Sequence, residues 1–358
     1  MNIREVARLA KVSTATVSRT INGSDKVTRE TKERVQRAIE ELGFYPNTWA
    51  RALGSGRSSL YGLIISDITN PFFPELVKSF EDMAVQCGQE VLVANTGYDP
   101  ARTELCVSRM LQRKVDGVAI MTSEMDERLI RELQNREIPL VFLDTGTARG
   151  VTSNIVVDYA TGIDAAVEHL AKLGHTELGF IAGPSALRSA RIRREAFAGC
   201  LKRRDMGAGW MEEGNHQVEG GQAAMARLLS GKTWPTAVLA SNDMTAIGAL
   251  GAIHERGLRV PEDISIVGFD DIGISAFTQP ALTTVRLSRE EIARVAFRAL
   301  YSVRQEGGKG VEYHVATSLV LRQSTGKPGT RRPGGRASHQ DSPSRELAVQ
   351  AHALRARD

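Results

Sequence analysis

Arg19 and the hydroxyl residues before it are the first side chains whose types and spacing suggest a chemistry. The run Val6-Ala7-Arg8-Leu9-Ala10-Lys11-Val12-Ser13-Thr14-Ala15-Thr16-Val17-Ser18-Arg19 reads as a short helix, a tight turn and a second helix. Thr14, Ala15, Ser18 and Arg19 then share an outer face, while Val17 and Ile21, four apart, share the inner one. Such a face fits the major groove of DNA, where hydroxyls reach phosphates and a guanidinium grips guanine. The competing account is a generic three-helix bundle with a solvated polar face.

Other chemistries find little support. Ser230-Gly231-Lys232-Thr233 has the end of a phosphate loop, but Ala226 stands where the first glycine is required and no strand precedes it. His254-Glu255 lacks the second histidine of a zinc-protease helix, and neither GxGxxG nor GxSxG occurs. Cys87, Cys106 and Cys200 are odd in number, widely spaced and without CxxC pairing, which argues against a disulfide framework or a zinc site and fits a reducing cytoplasm. No catalytic group, metal or cofactor is expected.

Those residues need elements to hold them. At 358 residues, two or three domains are the natural expectation. No apolar run approaches a membrane span, and the charged start Met1-Asn2-Ile3-Arg4-Glu5 lacks the core of a secretory signal. The net charge of +4 hides a partition: residues 1–60 carry 11 Lys/Arg against 6 Asp/Glu, and residues 61–324 carry 28 against 33. A basic head on an acidic body points the head alone at a polyanion. The head reads as helices only: Ile3 to Ala10, a second capped by Ser13, and a third that Thr28 opens as a capping box and Gly43 ends. From residue 61, buried β runs alternate with helices. Strands are expected at Gly62–Ser66, Glu90–Asn95, Gly117–Met121, Pro139–Asp144, Asn154–Asp158, Leu178–Gly183, Ala237–Ser241, Ile264–Asp270, Thr283–Leu287 and near Ser318–Arg322. That rhythm predicts an α/β core of parallel sheets, as two smaller sheets in preference to one. From Thr325 Gly, Pro, Ser, Arg and Gln dominate, and the tail 325–358 is expected to be disordered.

Tyr45-Pro46-Asn47-Thr48-Trp49-Ala50-Arg51-Ala52-Leu53, following that head, closely resembles the hinge of the lac repressor (LacI/GalR) family. The opening Val12-Ser13-x-x-Thr16-Val17-Ser18-Arg19 with Asn22 does so too. So do Ile68-Thr69-Asn70-Pro71-Phe72-Phe73, Gly174-His175, Ala182-Gly183-Pro184, Ser241-Asn242-Asp243, Gly268-Phe269-Asp270-Asp271 and Pro280-x-Leu282-Thr283-Thr284-Val285. The resemblance implies an all-α helix-turn-helix headpiece (1–46), a hinge helix and linker (47–60) and a two-lobed periplasmic-binding-protein-like core (61–324). The N-lobe would comprise about 61–157 and 288–315, the C-lobe about 158–287 and 316–324. It implies DNA contacts by Thr14, Ala15, Thr16, Ser18, Arg19, Tyr45, Asn47 and Ala50, with Leu53 wedged into the minor groove at the operator centre. An apolar wedge there unstacks a base step and bends the duplex. One departure is Lys11, where the family usually has Gly in the turn; a positive φ would cost Lys about 1 kcal/mol.

In the core the resemblance places a pocket between the lobes, at carboxyl ends of strands. Phe72 and Phe73 are expected to form an aromatic wall. Asp144, Asn242 and Asp270 end or follow strands, Arg193 matches the family's ligand-gripping arginine, and His216 stands where relatives carry an aromatic. Carboxylates and a guanidinium suit a polyhydroxylated ligand. Singly, Asn242 or Asp270 also fits a helix N-cap, as the lesser reading for Asn242, and Phe72 also fits a core. Arg188, Arg191 and Arg194 crowd Arg193, which tilts the expectation from a neutral sugar towards a sugar acid or sugar phosphate, unless they are a solvated helix face. The expected function is therefore a cytoplasmic homodimeric repressor of a double-stranded palindromic operator, governed by such a metabolite. A transport solute-binding protein, disfavoured by residues 1–60, and an enzyme on the same scaffold are the rivals.

Overall fold

The computed structural model describes residues 2–21, 23–44, 57–122, 125, 127–145, 147–207 and 209–329. Three helices form the head: α1 (Ile3–Leu9), α2 (Thr14–Ile21) and α3 (Arg29–Leu42). Asn2 closes a reciprocal capping box with Glu5. The Ser13 hydroxyl accepts from Thr16 N at 3.1 Å and opens α2. Thr28 caps α3, but its hydroxyl donates to Thr31 Oγ1, so the reciprocal backbone bond of a capping box falls to α1 instead. Gly43 ends α3 at φ +57. Val6, Ala7, Ala10, Val17, Val35 and Ala38 give the head its own buried core.

The remainder alternates as β1 (Leu60–Ile65), α4 (Phe72–Gln86), β2 (Glu90–Asn95), α5 (Pro100–Gln112), β3 (Gly117–Met121), α6 (Glu127–Gln134), β4 (Leu140–Leu143) and β5 (Thr152–Asp158). Then follow α7 (Tyr159–Lys172), β6 (Leu178–Ala182), α8 (Arg188–Arg203), β7 (Trp210–Glu213), α9 (Val218–Leu228), β8 (Ala237–Ala240), α10 (Asp243–Glu255) and β9 (Ser265–Asp270). A 3-10 turn (Gly273–Ala276), β10 (Thr283–Leu287), α11 (Arg289–Glu306) and β11 (Glu312–Val320) complete it.

The strands run in the order β2-β1-β3-β4-β5-β11-β10-β9-β8-β6-β7. Every pairing is parallel except β10 with β11. The expected pair of separate sheets is corrected here, because β11 joins them. Its residues Glu312–Ala316 pair with β5, and Thr317–Val320 pair with β10. One strand thus serves both lobes, and hydrogen bonding passes continuously between them. Below that join Gly162 brings α7 onto the sheet: its N–H donates to Thr317 Oγ1, and a Cβ there would lie 2.3 Å from Val285. The short edge strand β7, in which Trp210 and Met211 pack on the core and Glu212 and Glu213 do not, is an addition to the expected set.

The expected start of disorder at Thr325 also needs correction. Thr325 Oγ1 lies 3.0 Å from His169 Nε2. The Gly326 carbonyl accepts from His175 Nε2 at 2.9 Å, and Gly326 N–H donates to Ser265 Oγ at 3.0 Å. Polar backbone bonds, invisible to an apolar period, hold Thr325–Gly329 on the C-lobe; residues 330–358 lie outside the described residues.

Candidate ligand cleft and headpiece face

On α2, Thr14, Ala15, Ser18 and Arg19 are exposed together, and Val17 turns inward. Thr16 differs: it is half-buried and its hydroxyl pairs with Ser13 Oγ at 2.9 Å. Lys11 takes the turn at φ +54, the conformation where glycine is free and lysine is strained. Tyr45, Asn47, Ala50 and Leu53 lie outside the described residues.

A cleft open to solvent lies between the lobes, with a cavity of about 70 Å³ at its base. Phe72, Phe73, Asp144, Arg193, His216, Asn242 and Asp270 all line it. Phe72 and Phe73 open α4 after β1, their rings edge to face at 5.3 Å. Asp144 follows β4 at φ +57; one carboxylate oxygen accepts from Val157 N at 2.9 Å and the other from the Tyr159 hydroxyl at 2.7 Å. Burial raises its pKa, with those two bonds opposing.

Arg193 comes from α8, where Ala190, Arg193, Phe197, Cys200 and Leu201 form the buried face. Its guanidinium sits over the rings of Phe269 (4.4 Å) and Tyr159 (4.9 Å), donates to the Ser241 carbonyl, and stands 3.9 Å from Asp270 Oδ1. Burial opposes its charge, but Asp270 and Tyr159 more than offset this, so its pKa rises. Asp270, at φ +110, is pushed up to about 6 because burial outweighs the attraction of Arg193 and Arg289. His216, buried first and then repelled by Arg193, falls to about 3 and is neutral at physiological pH. Arg193 Nε, His216 Nε2 and Ser241 Oγ are buried without a hydrogen-bond partner. Native proteins rarely leave such atoms unpaired, so a polar ligand is the simplest complement.

Asn242 carries the structural duty that its sequence also allowed. Its side-chain oxygen caps α10 through Thr245 N, and its amide donates to the His216 carbonyl at 3.0 Å. The other arginines do not line the cleft, although the charge of Arg188 reaches Asp144. Arg188, Arg191 and Arg194 are exposed, and Arg191 spends Nη1 on the carbonyls of Ser185 and Ala186. Among the described residues, Arg193 is the sole cation lining the cleft. The surplus of positive charge that pointed to an anion is therefore a solvated helix face.

The sequence reading missed Ser66, Asn70, Tyr98, Tyr159 and Ser189 on the cleft wall. Ser189 had a signal, since it precedes Arg193 by one helical turn. Tyr159 had none, because its place depends on α7 lying under the join of the lobes. No three acidic, His or Cys residues are grouped to hold a metal among the described residues. Among them, too, no helix is long and apolar enough to cross a membrane.

Comparison with known proteins gives this geometry a context. A model of the bacterial regulatory proteins of the lacI family matches residues 2–47, and one of a periplasmic binding protein-like domain matches residues 167–325. The HTH-type transcriptional repressor PurR of Haemophilus influenzae (strain PittEE) is 33% identical over 90% of this chain and 98% of its own length. PurR of Klebsiella pneumoniae (strain 342) is 34% identical over 90% and 96%. Among solved structures, the lac repressor dimer bound to operator and the anti-inducer ONPF superposes with a TM-score of 0.82 at 31% identity, covering 91% of this chain and 99% of that one. The transcriptional regulator CelR in complex with cellobiose gives 0.67 at 28% identity, over 90% and 99%. These relatives are transcriptional repressors and regulators, not enzymes. With head, core and relatives in agreement, the chain belongs to the lacI family of bacterial regulatory proteins and is a DNA-binding regulator of transcription.

Proposed function

We propose that the chain is a cytoplasmic repressor that binds a pseudo-palindromic operator as a homodimer, and that a neutral sugar in the inter-lobe cleft controls it. Two identical headpieces related by a twofold axis read half-sites about one helical turn apart. Thr14, Ala15, Ser18 and Arg19 meet the bases and phosphates, with Thr16 shaping the start of α2. Tyr45, Asn47, Ala50 and Leu53 act at the hinge.

The observation that carries the ligand class is the charge balance of the cleft. Arg193 faces Asp270 at 3.9 Å, and Asp144 lines the same space. A sugar acid or sugar phosphate would meet one cation already countered by two carboxyl groups. A neutral polyol both donates to carboxylates and accepts from Arg193 Nε and His216. CelR, a relative, is solved with cellobiose, and a lacI-family regulator from Enterococcus faecium with ribose, both neutral sugars. A ligand acts on DNA affinity only by preferring one lobe arrangement over another.

Titration calorimetry with matched aldose and aldonate pairs, alongside gel shifts on DNA upstream of the gene, tests the reading. The aldose should bind more tightly and change the gel shift. Preferential binding of the aldonate would overturn the ligand class, and a footprint on one asymmetric half-site would overturn the twofold dimer.

A further inference from the structure

Arg289, the first residue of α11, lies outside the cleft lining yet holds the backbone that carries Asp270. Its Nη1 donates to the Asp270 carbonyl and its Nη2 to the Asp271 carbonyl at 2.8 Å. Its Nε sits 2.7 Å from Glu75 Oε2. The other oxygen, Glu75 Oε1, accepts from Gly273 N–H at 3.0 Å. Glu75 belongs to α4, in the N-lobe beside Phe72 and Phe73, whereas Asp270 and Gly273 belong to the C-lobe. All three faces of the guanidinium fork are thus engaged. Glu75 and Arg289 both belong to the N-lobe, and the pair grips C-lobe backbone at Asp270, Asp271 and Gly273.

The segment being held is strained. Asp270 at φ +110 and Asp271 at φ +56 are consecutive non-glycine residues in the left-handed half of conformational space. Such backbone persists only when its surroundings over-determine it. Asp271 supplies part of that hold through Arg286 at 2.7 Å and Arg322 at 2.5 Å. Those partners lie on or after β10, within the C-lobe side of the sheet, and would survive a parting of the lobes. The hold of Glu75 on Gly273 N–H and of Arg289 on the two carbonyls would not. Gln217 Nε2 also reaches Asp67 across the cleft at 2.7 Å, but as a single neutral donor.

From this juxtaposition we infer that the N-lobe pair Glu75–Arg289 is a latch onto the C-lobe segment Asp270–Gly273, which shuts the lobes and, in the same grip, aims the Asp270 carboxyl into the cleft. They are positioning residues: neither lines the cleft, and each acts through Asp270. Closure and ligand affinity are then coupled by a built contact, with the latch favouring the closed arrangement even before a ligand arrives. Two-state coupling of this kind needs only that Glu75 be in reach in one arrangement and out of reach in the other. The inference deepens the cleft reading, because the value of aiming Asp270 rests on a ligand being there.

The test uses no effector, so its failure and that of the sugar reading are separable. Hydrogen exchange of the Gly273 amide is followed by mass spectrometry in the full chain, with small-angle scattering to report lobe opening. Glu75→Ala removes the acceptor at a half-exposed site, so the fold is retained; it and Arg289→Gln should each speed Gly273 exchange at least fivefold and increase the radius of gyration. The double variant should exchange no faster than the quicker single one, since the paired side chains grip the segment as one unit. Arg289→Lys keeps the charge facing Glu75 but loses the two-carbonyl grip, and should recover the protection of Gly273. A merely structural role would give additive effects, a uniform rise in exchange across the C-lobe and no rescue by lysine. Unchanged Gly273 exchange in both single variants, or additivity in the double, overturns the latch.

Discussion

The imidazole of His216 occupies the space that any side chain on Gly183 would need: a Cβ built at Gly183 falls 1.9 Å from His216 Nε2. Gly183 follows β6, and its lack of a side chain lets the buried ring turn into the cleft. Gly183→Ala is expected to expel the ring, because His216 is fixed from behind by the Asn242 amide on its carbonyl. Overpacking of this kind costs about 1–3 kcal/mol. Thermal denaturation should show the loss, and His216→Gly in the same background should recover part of it. Equal stability of Gly183→Ala and wild type would mean that the ring has another place to go.

Lys11 at φ +54 makes a prediction in the opposite direction. A left-handed conformation costs an L side chain about 1 kcal/mol, and glycine escapes it. The turn also carries Lys11 N–H to the Arg8 carbonyl at 3.2 Å, a bond glycine keeps. Lys11→Gly should therefore slow exchange of the neighbouring Val17 amide up to about fivefold, the equivalent of that energy. Faster exchange in the variant would show that the lysine stem contributes more than its backbone loses.

The cleft was legible where it depended on motifs at strand ends. Phe72, Phe73, Asp144 and Asp270 follow strands, and parallel sheets gather such ends on one side. Arg193 against Arg188, Arg191 and Arg194 was a question of helix phase, and Ala190, Phe197 and Cys200 at spacings of three and four held the answer. Composition alone pointed the wrong way. The double pairing of β11 was not legible, because its first half meets β5 and its second half β10, a fact set by the meeting of two lobes. Tyr159 and the grip of Glu75 and Arg289 on the C-lobe segment are hidden for the same reason.

Thr325–Gly329 make the C-terminal boundary testable. A chain ending at Gly329 keeps the bonds from His169, His175 and Ser265 to Thr325 and Gly326. One ending at Ser324 loses them and leaves the buried His175 Nε2 without its acceptor. An unsatisfied buried donor costs about 1–3 kcal/mol. The shorter chain should melt at a lower temperature than the longer, and the longer should match the full chain. Identical melting of the two truncations would return the boundary to Ser324.

Asp243 gives the chain a pH dependence of stability with a definite sign. Its carboxylate is fully buried and accepts from Ile272 N at 2.9 Å, Ser275 Oγ at 2.6 Å and Thr284 Oγ1 at 2.5 Å. Burial, then the charge of Asp270, pushes its pKa from 3.8 up to about 7, and the three donors only partly oppose this. Between those values the folded chain holds a proton that the unfolded chain has released. Its contribution to stability is therefore complete below pH 3.8 and is lost as pH rises towards about 7. Asp270, raised to about 6, adds a slope of the same sign over a narrower window. One fully linked proton is worth at most about 1.4 kcal/mol per pH unit. Asp243→Asn removes the titration and still fits: its oxygen accepts from Ile272 N and Ser275, and its amide donates to the Thr284 hydroxyl. Denaturant unfolding at pH 5 and pH 7.5 should show the variant gaining on wild type at the higher pH. A variant whose deficit is the same at both values, or larger at pH 7.5, would mean that Asp243 stays ionised in the fold.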